Sequence, residues 1–217
     1  MADKYEQFSI AELMGHSGVG FGTSGARGLA SAMTDRVCYA YTLGFLQYLE
    51  KQGSIHPGDE VVVGGDHRPS TPRIMRACIR AVSDMGYLPV NGGAIPSPAL
   101  ANEGLRRGAA SLMVTGSHIP DDRNGIKFNK PDGEILKPDE LGIREQQVQL
   151  PLSLFDEHGF CAAPCDPPPE DQSARRHYVS RYLDFFAPDC LAGSRILLYE
   201  HSSVAATVLG DIFEGLG

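Results

Sequence analysis

The sequence predicts an α/β fold: a three-layer domain with a mainly parallel, mixed sheet flanked by helices, plus the opening strand and helix of a second α/β domain. Residues 61–63 are three consecutive valines followed by two glycines, which is typical of a strand buried on both faces. An amphipathic stretch follows, with Ile74, Cys78 and Val82 on one face. This alternation then repeats, and alternating strands and helices favour parallel strands joined by crossovers.

Capping and glycine signals predict the other elements of the first domain. The first twenty residues look irregular. Thr34 is expected to cap one helix, and Thr71 is expected to cap a second with Pro72 at its first position. The further expected elements are a strand at 87–90, a helix from Ser97, a strand at 109–114, a hairpin at 125–136 that turns at Pro131-Asp132-Gly133, and a closing helix with Glu140, Leu141, Ile143 and Val148.

The predicted domain limits are 1–160 for the first domain, 161–172 for a proline-rich linker and 173–217 for the start of the second domain. Three consecutive prolines in the linker exclude a regular helix or a central strand. The second domain is expected to contain a helix with Tyr178 and Tyr182, a strand at 196–199 and a helix at 204–216. One strand and its following helix do not form an independent core, so this domain is predicted to be truncated.

Composition and charge exclude several classes of function. Asp and Glu outnumber Lys and Arg by 27 to 19, and the basic residues are scattered, so no nucleic acid is expected as a partner. The N-terminus is polar and no apolar run would span a bilayer, so we expect a cytoplasmic protein without membrane contact. Five cysteines fit reduced thiols. Cys161, Cys165 and His158 resemble metal ligands only weakly, because a second ligand pair is missing.

The loop after the third predicted strand contains the most informative residues. Ser117 follows a buried strand, with Gly116 before it and His118 after it. Ligands of such sheets bind outside the carboxyl ends of the strands, where this serine is placed. A phosphate on Ser117, with a charge of about −1.5 to −2, would need cations around it, and Arg27, His118 and Lys127 are the candidates. Taken alone, a Thr-Gly-Ser-His tetrapeptide is more typical of a turn whose hydroxyls bond local backbone.

Two segments together resemble the α-D-phosphohexomutase superfamily. The sequence at 115–120, Thr-Gly-Ser-His-Ile-Pro, followed by Asn-Gly-Ile-Lys at 124–127, resembles the phosphoserine loop of that family. The glycine-rich segment 21–28 resembles the loop that brings an arginine beside the phosphoserine. The turn at 63–70 also resembles a family segment, although a structural helix-capping role is favoured for it. The family commonly has asparagine where this chain has Ile119, which puts the detail of the loop in doubt.

The resemblance implies that the whole protein interconverts hexose 1-phosphate and hexose 6-phosphate, of mannose or glucose, through a phosphoserine and a bisphosphorylated sugar. It implies catalytic roles for Ser117, His118, Lys127 and Arg27, with Lys127 as general acid or base and His118 as the second candidate for that role. It implies that Thr23, Ser24, Arg27 and Asn124 bind the phosphosugar. It also implies magnesium held by Ser117 through its phosphate, and hexose 1,6-bisphosphate as activator and intermediate.

Three elements of the family have no counterpart in this sequence: the Asp-rich metal loop, the loop that reads the sugar hydroxyls, and the loop that anchors the distal phosphate. They are expected beyond Gly217, in remaining domains of the same enzyme that would be the partners of this chain. Residues 1–217 alone are therefore expected to be inactive and to bind magnesium poorly. Two alternatives are a non-catalytic phosphosugar-binding or regulatory module and a serine hydrolase, although the Gly-x-Ser-x-Gly elbow of such hydrolases is absent.

Overall fold

The structure is a computed structural model that describes residues 4–22, 25–163 and 165–217. The strands are β1 (Tyr5–Ser9), β2 (Gly20–Phe21), β3 (Gly25–Leu29), β4 (Glu60–Gly65), β5 (Leu88–Ala94), β6 (Ala110–Val114), β7 (Arg123–Lys130), β8 (Gly133–Glu134) and β9 (Gln147–Pro151). The helices are α1 (Ile10–Ser17), α2 (Asp35–Lys51), α3 (Thr71–Asp84), α4 (Ser97–Arg107), α5 (Lys137–Arg144), α6 (Ser173–Phe185) and α7 (Ala206–Gly215), with a 3-10 turn at Leu152–Leu154. None of the helices in these ranges is long and apolar enough to cross a bilayer.

A mixed seven-stranded sheet forms the centre of the fold, in the order β2-β3-β7-β6-β4-β5, with β8 beside β7. Strand β4 pairs in parallel with β5 and β6, whereas the pairings of β7 with β3, β6 and β8 are antiparallel. The predicted mixed sheet is confirmed, but its parallel part is limited to three strands. The reason is that β7 follows β6 through a short loop and therefore runs back beside it.

The two faces of the sheet bury different helices. Val61 and Val63 pack in one cluster with residues of α2 and α3, whereas Val62 packs in another with Ala99 of α4 and Ala174 of α6. Alternation of side chains along β4 thus assigns each valine to a face. Fully burying a valine contributes about 1.5–3 kcal/mol, so this one strand anchors both helical layers. The three-layer prediction is confirmed.

Helix α2 begins as the sequence predicts. The Val37 amide donates to the Thr34 hydroxyl at 3.4 Å, which caps the first turn. The apolar face of α2 places Phe45 against Phe128 of β7, with ring centroids 4.8 Å apart. The Tyr41 hydroxyl donates to the carbonyl of Val19 at 2.5 Å, which fixes the glycine-rich N-terminal segment against the helix.

The prediction of an irregular N-terminus is wrong. Helix α1 begins with a capping box, in which the Glu12 amide donates to the Ser9 hydroxyl at 3.1 Å and the Glu12 carboxylate accepts from Ser9. Strand β1 pairs antiparallel with β9, with Tyr5 opposite Pro151. The partner strand is far along the chain, so no local pattern indicates this pairing.

Two predicted details of the first domain are also wrong. Thr71 is the first residue of α3 rather than its cap, and the N-cap Ser70 makes no side-chain capping bond. The Thr71 hydroxyl instead donates to Asp66 Oδ1 at 2.6 Å. Val148 belongs to β9 and not to the closing helix, which ends at Arg144 because the following residues pair with β1.

The predicted strand at 196–199, the opening strand of the second domain, is not formed. This part of the predicted fold is wrong. Residues 195–200 pair with no other strand in the described ranges, and Leu197 and Tyr199 are 96% and 82% exposed. A strand needs a neighbour to satisfy its backbone groups, so its apolar sequence alone does not form one. The predicted helix starts later, at Ala206 rather than 204.

The segment predicted as a linker lies along the edge of the sheet. The side-chain amide of Asn91 in β5 donates to the backbone carbonyl of Pro168 at 2.9 Å. The backbone amide of Asp171 donates to the backbone carbonyl of Asn91 at 2.7 Å. Helix α6 then packs on α4, where Ala174 is buried. The domain limits at 160 and 173 stay a prediction.

Candidate active site

Ser117 lies at the tip of the loop that follows β6, in an exposed position. The Thr115 amide donates to the Gly125 carbonyl of β7 at 3.0 Å, which extends the strand pairing to the base of the loop. Ser117 has a φ of 52°, in the left-handed region that non-glycine residues seldom adopt. Its amide donates to the Thr115 hydroxyl at 2.9 Å, and its hydroxyl lies 3.2 Å from His118 Nδ1. Ser117 is therefore exposed to solvent on a turn whose backbone conformation is fixed by local hydrogen bonds.

Asp66, directly after β4, holds the base of this loop. One carboxylate oxygen accepts from the Thr115 hydroxyl at 2.8 Å and from the Gly116 amide at 3.1 Å. The other accepts from the Thr71 hydroxyl and from the Arg68 amide at 3.0 Å. Burial by itself would raise the pKa of Asp66, but these four hydrogen bonds outweigh it and lower the pKa below its usual value. Asp66 is thus an ionised acceptor that joins β4, α3 and the serine loop.

Arg68 lies against the same loop with a side chain that is 11% exposed. Its guanidinium donates to backbone carbonyls on both limbs of the loop and lies 3.4 Å from Asp66 Oδ2. A β-carbon on Gly116 would lie 2.3 Å from Cζ of Arg68, so this close approach requires glycine at 116. Ile119 contributes its carbonyl to this contact, so replacing the family's asparagine side chain leaves that hydrogen bond in place.

Two predicted cationic residues share one face of the sheet near the loop. Arg27 of β3 lies opposite Gly125 of β7, and Lys127 lies opposite Gly25, two residues along. Their side chains are therefore diagonal neighbours, about 7–8 Å apart at the backbone. Within the part of the chain that the structure describes, Arg27, His118 and Lys127 form no ion pair, which leaves the cations of Arg27 and Lys127 available to an anion.

Lys127 also borders a cavity of about 250 Å³ between α4 and the β7–β8 hairpin. Met113 of β6 lies opposite Lys127 in the sheet and contributes to the same wall, and Ser97 and Pro98 contribute from the start of α4. The lysine thus has space beside it on the side away from the helices α2 and α3.

Asn124 of β7 lies in the interior of the protein. Its side chain is fully buried, and its amide donates to the Ser70 hydroxyl at 2.8 Å and to the Thr71 hydroxyl at 3.0 Å. The side-chain oxygen Oδ1 of Asn124 accepts from the backbone amide of Gly125. These contacts join β7 to the start of α3, and the role of Asn124 in binding a phosphosugar stays a prediction. Thr23 and Ser24, the other predicted binding residues, lie outside the described residues.

The acidic residues near Ser117 do not fit a magnesium site by themselves. Asp66 already accepts four hydrogen bonds, and Asp121 accepts from Arg68 at 3.3 Å while it is almost fully exposed. No group of three His, Cys, Asp or Glu side chains able to hold a metal occurs within residues 4–22, 25–163 and 165–217. Magnesium would contact Ser117 through its phosphate and would need its other ligands from elsewhere.

The contact between Ser117 and His118 does not form a hydrolase triad. Neighbouring residues place the hydroxyl and the ring nitrogen 3.2 Å apart, but a triad histidine is oriented by a carboxylate on its second nitrogen. His118 has no such carboxylate partner among the described residues. The serine hydrolase alternative is therefore not favoured.

The sequence predicts site roles for Ser117, Arg27, His118 and Lys127 but predicts none for Asp66 and Arg68. Both belong to the Gly-Gly-Asp-His-Arg segment that directly follows a buried strand. An acidic residue at the carboxyl end of a central strand is placed to bind neighbouring loops. The position of Asp66 in the sequence therefore indicates a role at the site. The hydrogen-bond partners of Asp66 and Arg68 cannot be predicted from the sequence, because these contacts join residues about fifty positions apart.

Comparison with known proteins identifies the family of this chain. Residues 18–149 match the family model "Phosphoglucomutase/phosphomannomutase, alpha/beta/alpha domain I". A phosphomannomutase of Sinorhizobium fredii is 44% identical over 197 residues, which are 91% of this chain and 41% of that protein. A phosphomannomutase of Salmonella muenchen is 36% identical over 97% of this chain and 41% of its own length. The chain thus spans about two fifths of the length of these relatives.

Solved structures show the same fold. A phosphoglucomutase/phosphomannomutase family protein from Burkholderia thailandensis has a TM-score of 0.66 with 22% identity, over 90% of this chain and 41% of that chain. A phosphoglucomutase of Paramecium, parafusin, has a TM-score of 0.67 with 18% identity and the same coverage. Together with the matched domain model, which includes the serine loop, β3 and Lys127, these comparisons confirm the predicted superfamily: the chain belongs to the phosphoglucomutase/phosphomannomutase family.

Proposed function

We propose that a protein carrying this chain, at the length of its relatives, is a phosphohexomutase that interconverts hexose 1-phosphate and hexose 6-phosphate with Ser117 as the phosphoryl carrier. The observation that supports this most directly is the exposed Ser117 hydroxyl on a turn held by Asp66 and Arg68. Residues 18–149 match the domain I model, and a relative that is 44% identical is named a phosphomannomutase.

Each half-reaction moves one phosphoryl group. The bond between phosphorus and the Ser117 oxygen breaks while a bond forms to a free hydroxyl of the sugar monophosphate. The sugar hydroxyl gives up its proton to a base, and the released serine oxygen takes up a proton. In the reverse half-reaction the bisphosphorylated sugar, turned around, returns its other phosphoryl group to Ser117. The net result is an isomerisation.

The residues of this chain supply charge and proton transfer to these steps. The transferred group carries negative charge that positioned cations stabilise, and Arg27 and Lys127 face the same side of the sheet. Lys127 is the proposed acid or base towards the sugar hydroxyl. His118, with Nδ1 3.2 Å from the serine oxygen, is placed to exchange the proton of Ser117 itself. Magnesium would neutralise charge on the phosphoserine when bound.

Mannose and glucose phosphates are the proposed substrates, with hexose 1,6-bisphosphate as activator, in a cytoplasmic enzyme. Two relatives at 36% and 44% identity are named phosphomannomutases, which favours mannose. Other relatives are named phosphoglucosamine mutases, such as one of Clostridium tetani that is 37% identical over 67% of this chain. Residues 1–217 alone are proposed to be inactive, because no described cluster holds a metal.

The experiment replaces Ser117 by alanine in the full-length protein and follows conversion of mannose 1-phosphate by phosphorus NMR. Mutase activity is expected to fall by at least about a thousandfold, because the covalent carrier is removed. Intact-mass measurement should show a phosphate on the parent protein and none on the variant. Ser202→Ala is the matched control, since Ser202 is exposed and has a φ of 57°. Full activity of Ser117→Ala would refute the mechanism.

A further inference from the structure

Arg68 is the side chain that contacts both limbs of the serine loop. We propose that Arg68 is a positioning residue for phosphoryl transfer, which fixes the loop so that the oxygen of Ser117 lies at the reacting position. This inference rests on the proposed function and adds a residue whose effect on the reaction passes through the loop backbone. Arg68 itself is not proposed to touch the substrate.

The contacts of Arg68 divide between the two limbs of the loop. Nη2 donates to the carbonyls of Ser117 at 3.3 Å and Ile119 at 2.6 Å. Nη1 donates to the carbonyls of Pro120 at 2.8 Å and Arg123 at 3.1 Å. One planar group therefore ties the residue that would carry the phosphate to the start of β7.

The same contacts exclude Arg68 as a ligand of the substrate phosphate. Both terminal nitrogens are engaged with carbonyl oxygens, and Nε lies 3.4 Å from the ionised carboxylate of Asp66. The side chain is 11% exposed and lies against Gly116. To bind a phosphate, Arg68 would have to give up its contacts with the carbonyls of Ser117, Ile119, Pro120 and Arg123. Arg27, without an ion pair in those residues, is the better placed cation.

Lysine would not replace Arg68 in this role. A guanidinium is a rigid fork with five N–H donors, and it reaches several acceptors in one plane, whereas an ammonium is a single point with three donors. Here the acceptors lie on two sides of the group, on Nη1 and on Nη2. Arg68→Lys keeps the positive charge beside Asp66 but loses most of the loop contacts. The pair of variants Arg68→Lys and Arg68→Met thus separates charge from geometry.

The backbone at Ser117 explains why an external support is needed. Its φ of 52° is sparsely populated by serine, so an unsupported loop would relax to other conformations. Phosphoryl transfer depends on placing the reacting atoms in line at short distance, and small misplacements slow the step strongly. Loosening the loop is expected to lower kcat more than to raise KM, because other residues hold the sugar phosphate.

The test uses the full-length protein for kinetics and residues 1–217 for hydrogen exchange. Arg68→Met and Arg68→Lys are both expected to lower kcat by about 10- to 100-fold with KM changed less than about threefold. Amide exchange of the peptide 115–123 should become faster in both variants. Arg80→Met is the matched control: it removes an ion pair to Asp84 at 2.8 Å on α3 that touches no part of the loop.

The outcomes separate this inference from the proposed function. A large rise in KM at unchanged kcat would show that Arg68 binds substrate, and full activity of Arg68→Lys would show that its charge alone matters; either result overturns the inference. If Ser117→Ala retained activity, the proposed function would fail whatever the Arg68 variants do. If Arg68→Met does not fold by circular dichroism, Arg68→Lys decides the question with the same readouts.

Discussion

The guanidinium of Arg68 fills the space where residue 116 would carry a side chain. A β-carbon on Gly116 would lie 2.3 Å from both Cζ and Nε of Arg68. Arg68 is held on the other side by loop carbonyls and by Asp66, so it has little room to move aside. The glycine before the serine is therefore a packing requirement of the loop.

This relationship makes Gly116→Ala the smallest change that displaces Arg68. Forcing a methyl group into such a contact costs about 1–3 kcal/mol of unfolding free energy. Urea unfolding of the two proteins at the same pH measures the difference. Gly15→Ala, in α1 with no atom within 4 Å of the added carbon, is the control and should be neutral or stabilising by up to about 1 kcal/mol. Equal stability of Gly116→Ala and the parent would contradict the packing.

Asp66 should make the stability of the protein depend on pH in the acidic range. Its pKa is lowered in the folded state, because four hydrogen bonds to the carboxylate outweigh the effect of burial. The stability contributed by Asp66 is therefore fully present above its unfolded pKa of about 3.9 and is lost as the pH falls through the lower folded value.

Asp66→Asn tests this dependence. At pH 7 the substitution is expected to lower the free energy of unfolding by about 1–3 kcal/mol, because an NH2 group replaces one of the two acceptor oxygens and then faces a backbone N–H, either that of Gly116 or that of Arg68. Below about pH 4 the difference should shrink, because the Asp66 carboxyl of the unfolded parent is then protonated while the folded parent takes up this proton only at lower pH. Chemical unfolding between pH 3 and 7 provides the comparison. A constant difference over this range would show that the charge of Asp66 is irrelevant.

Glu103 should control how firmly α6 is attached to α4. Its side chain is 2% exposed, and its two oxygens accept from Arg107 Nε at 2.6 Å and from His177 Nδ1 at 2.7 Å. Burial would raise the pKa of Glu103, but these hydrogen bonds lower it. Arg107 also pairs with Asp171 of the predicted linker at 2.7 Å, so one network joins the two segments.

Glu103→Ala is expected to destabilise the protein by about 1.5–3 kcal/mol, the range for losing a charged hydrogen-bond partner. Amide exchange in α6 should increase more than in β4. Arg175→Gln is the control: it breaks an exposed pair with Asp211 at 2.7 Å, and its cost should stay below about 1 kcal/mol. If α6 remains as protected in Glu103→Ala as in the parent, the network does not anchor it.

Local sequence patterns predict the secondary-structure elements that depend on neighbouring residues. The valine run of β4, the Thr34 cap and the Pro-Asp-Gly turn each depend on neighbouring residues, and the structure contains all three features. The strand at 196–199 failed for the complementary reason: its apolar sequence is suited to pairing, but no described strand lies beside it. β1 was missed because its partner is β9.

The same division applies to the site. The sequence predicts Ser117, His118 and Lys127 as site residues because they lie within one short segment that resembles a family loop. The diagonal placement of Arg27 and Lys127 depends on the register of β3 and β7, which the sequence does not reveal. The position of Asn124 in the motif says nothing about its burial, so the contacts of its side-chain amide with Ser70 and Thr71 are not predictable from the sequence.

The strained backbone of Ser117 predicts that stability and activity respond oppositely to one substitution. Glycine adopts a φ of 52° without the steric cost that serine pays, so Ser117→Gly should raise the free energy of unfolding by about 0.5–1 kcal/mol relative to Ser117→Ala. Neither variant has an oxygen to carry a phosphate, and both should lack mutase activity in the full-length protein. Thermal unfolding of residues 1–217 and the mutase assay measure the two effects separately. Equal stability of the glycine and alanine variants would show that the turn relaxes to other conformations. A glycine variant that is more stable but inactive would show that the φ of residue 117 costs stability when the residue is serine.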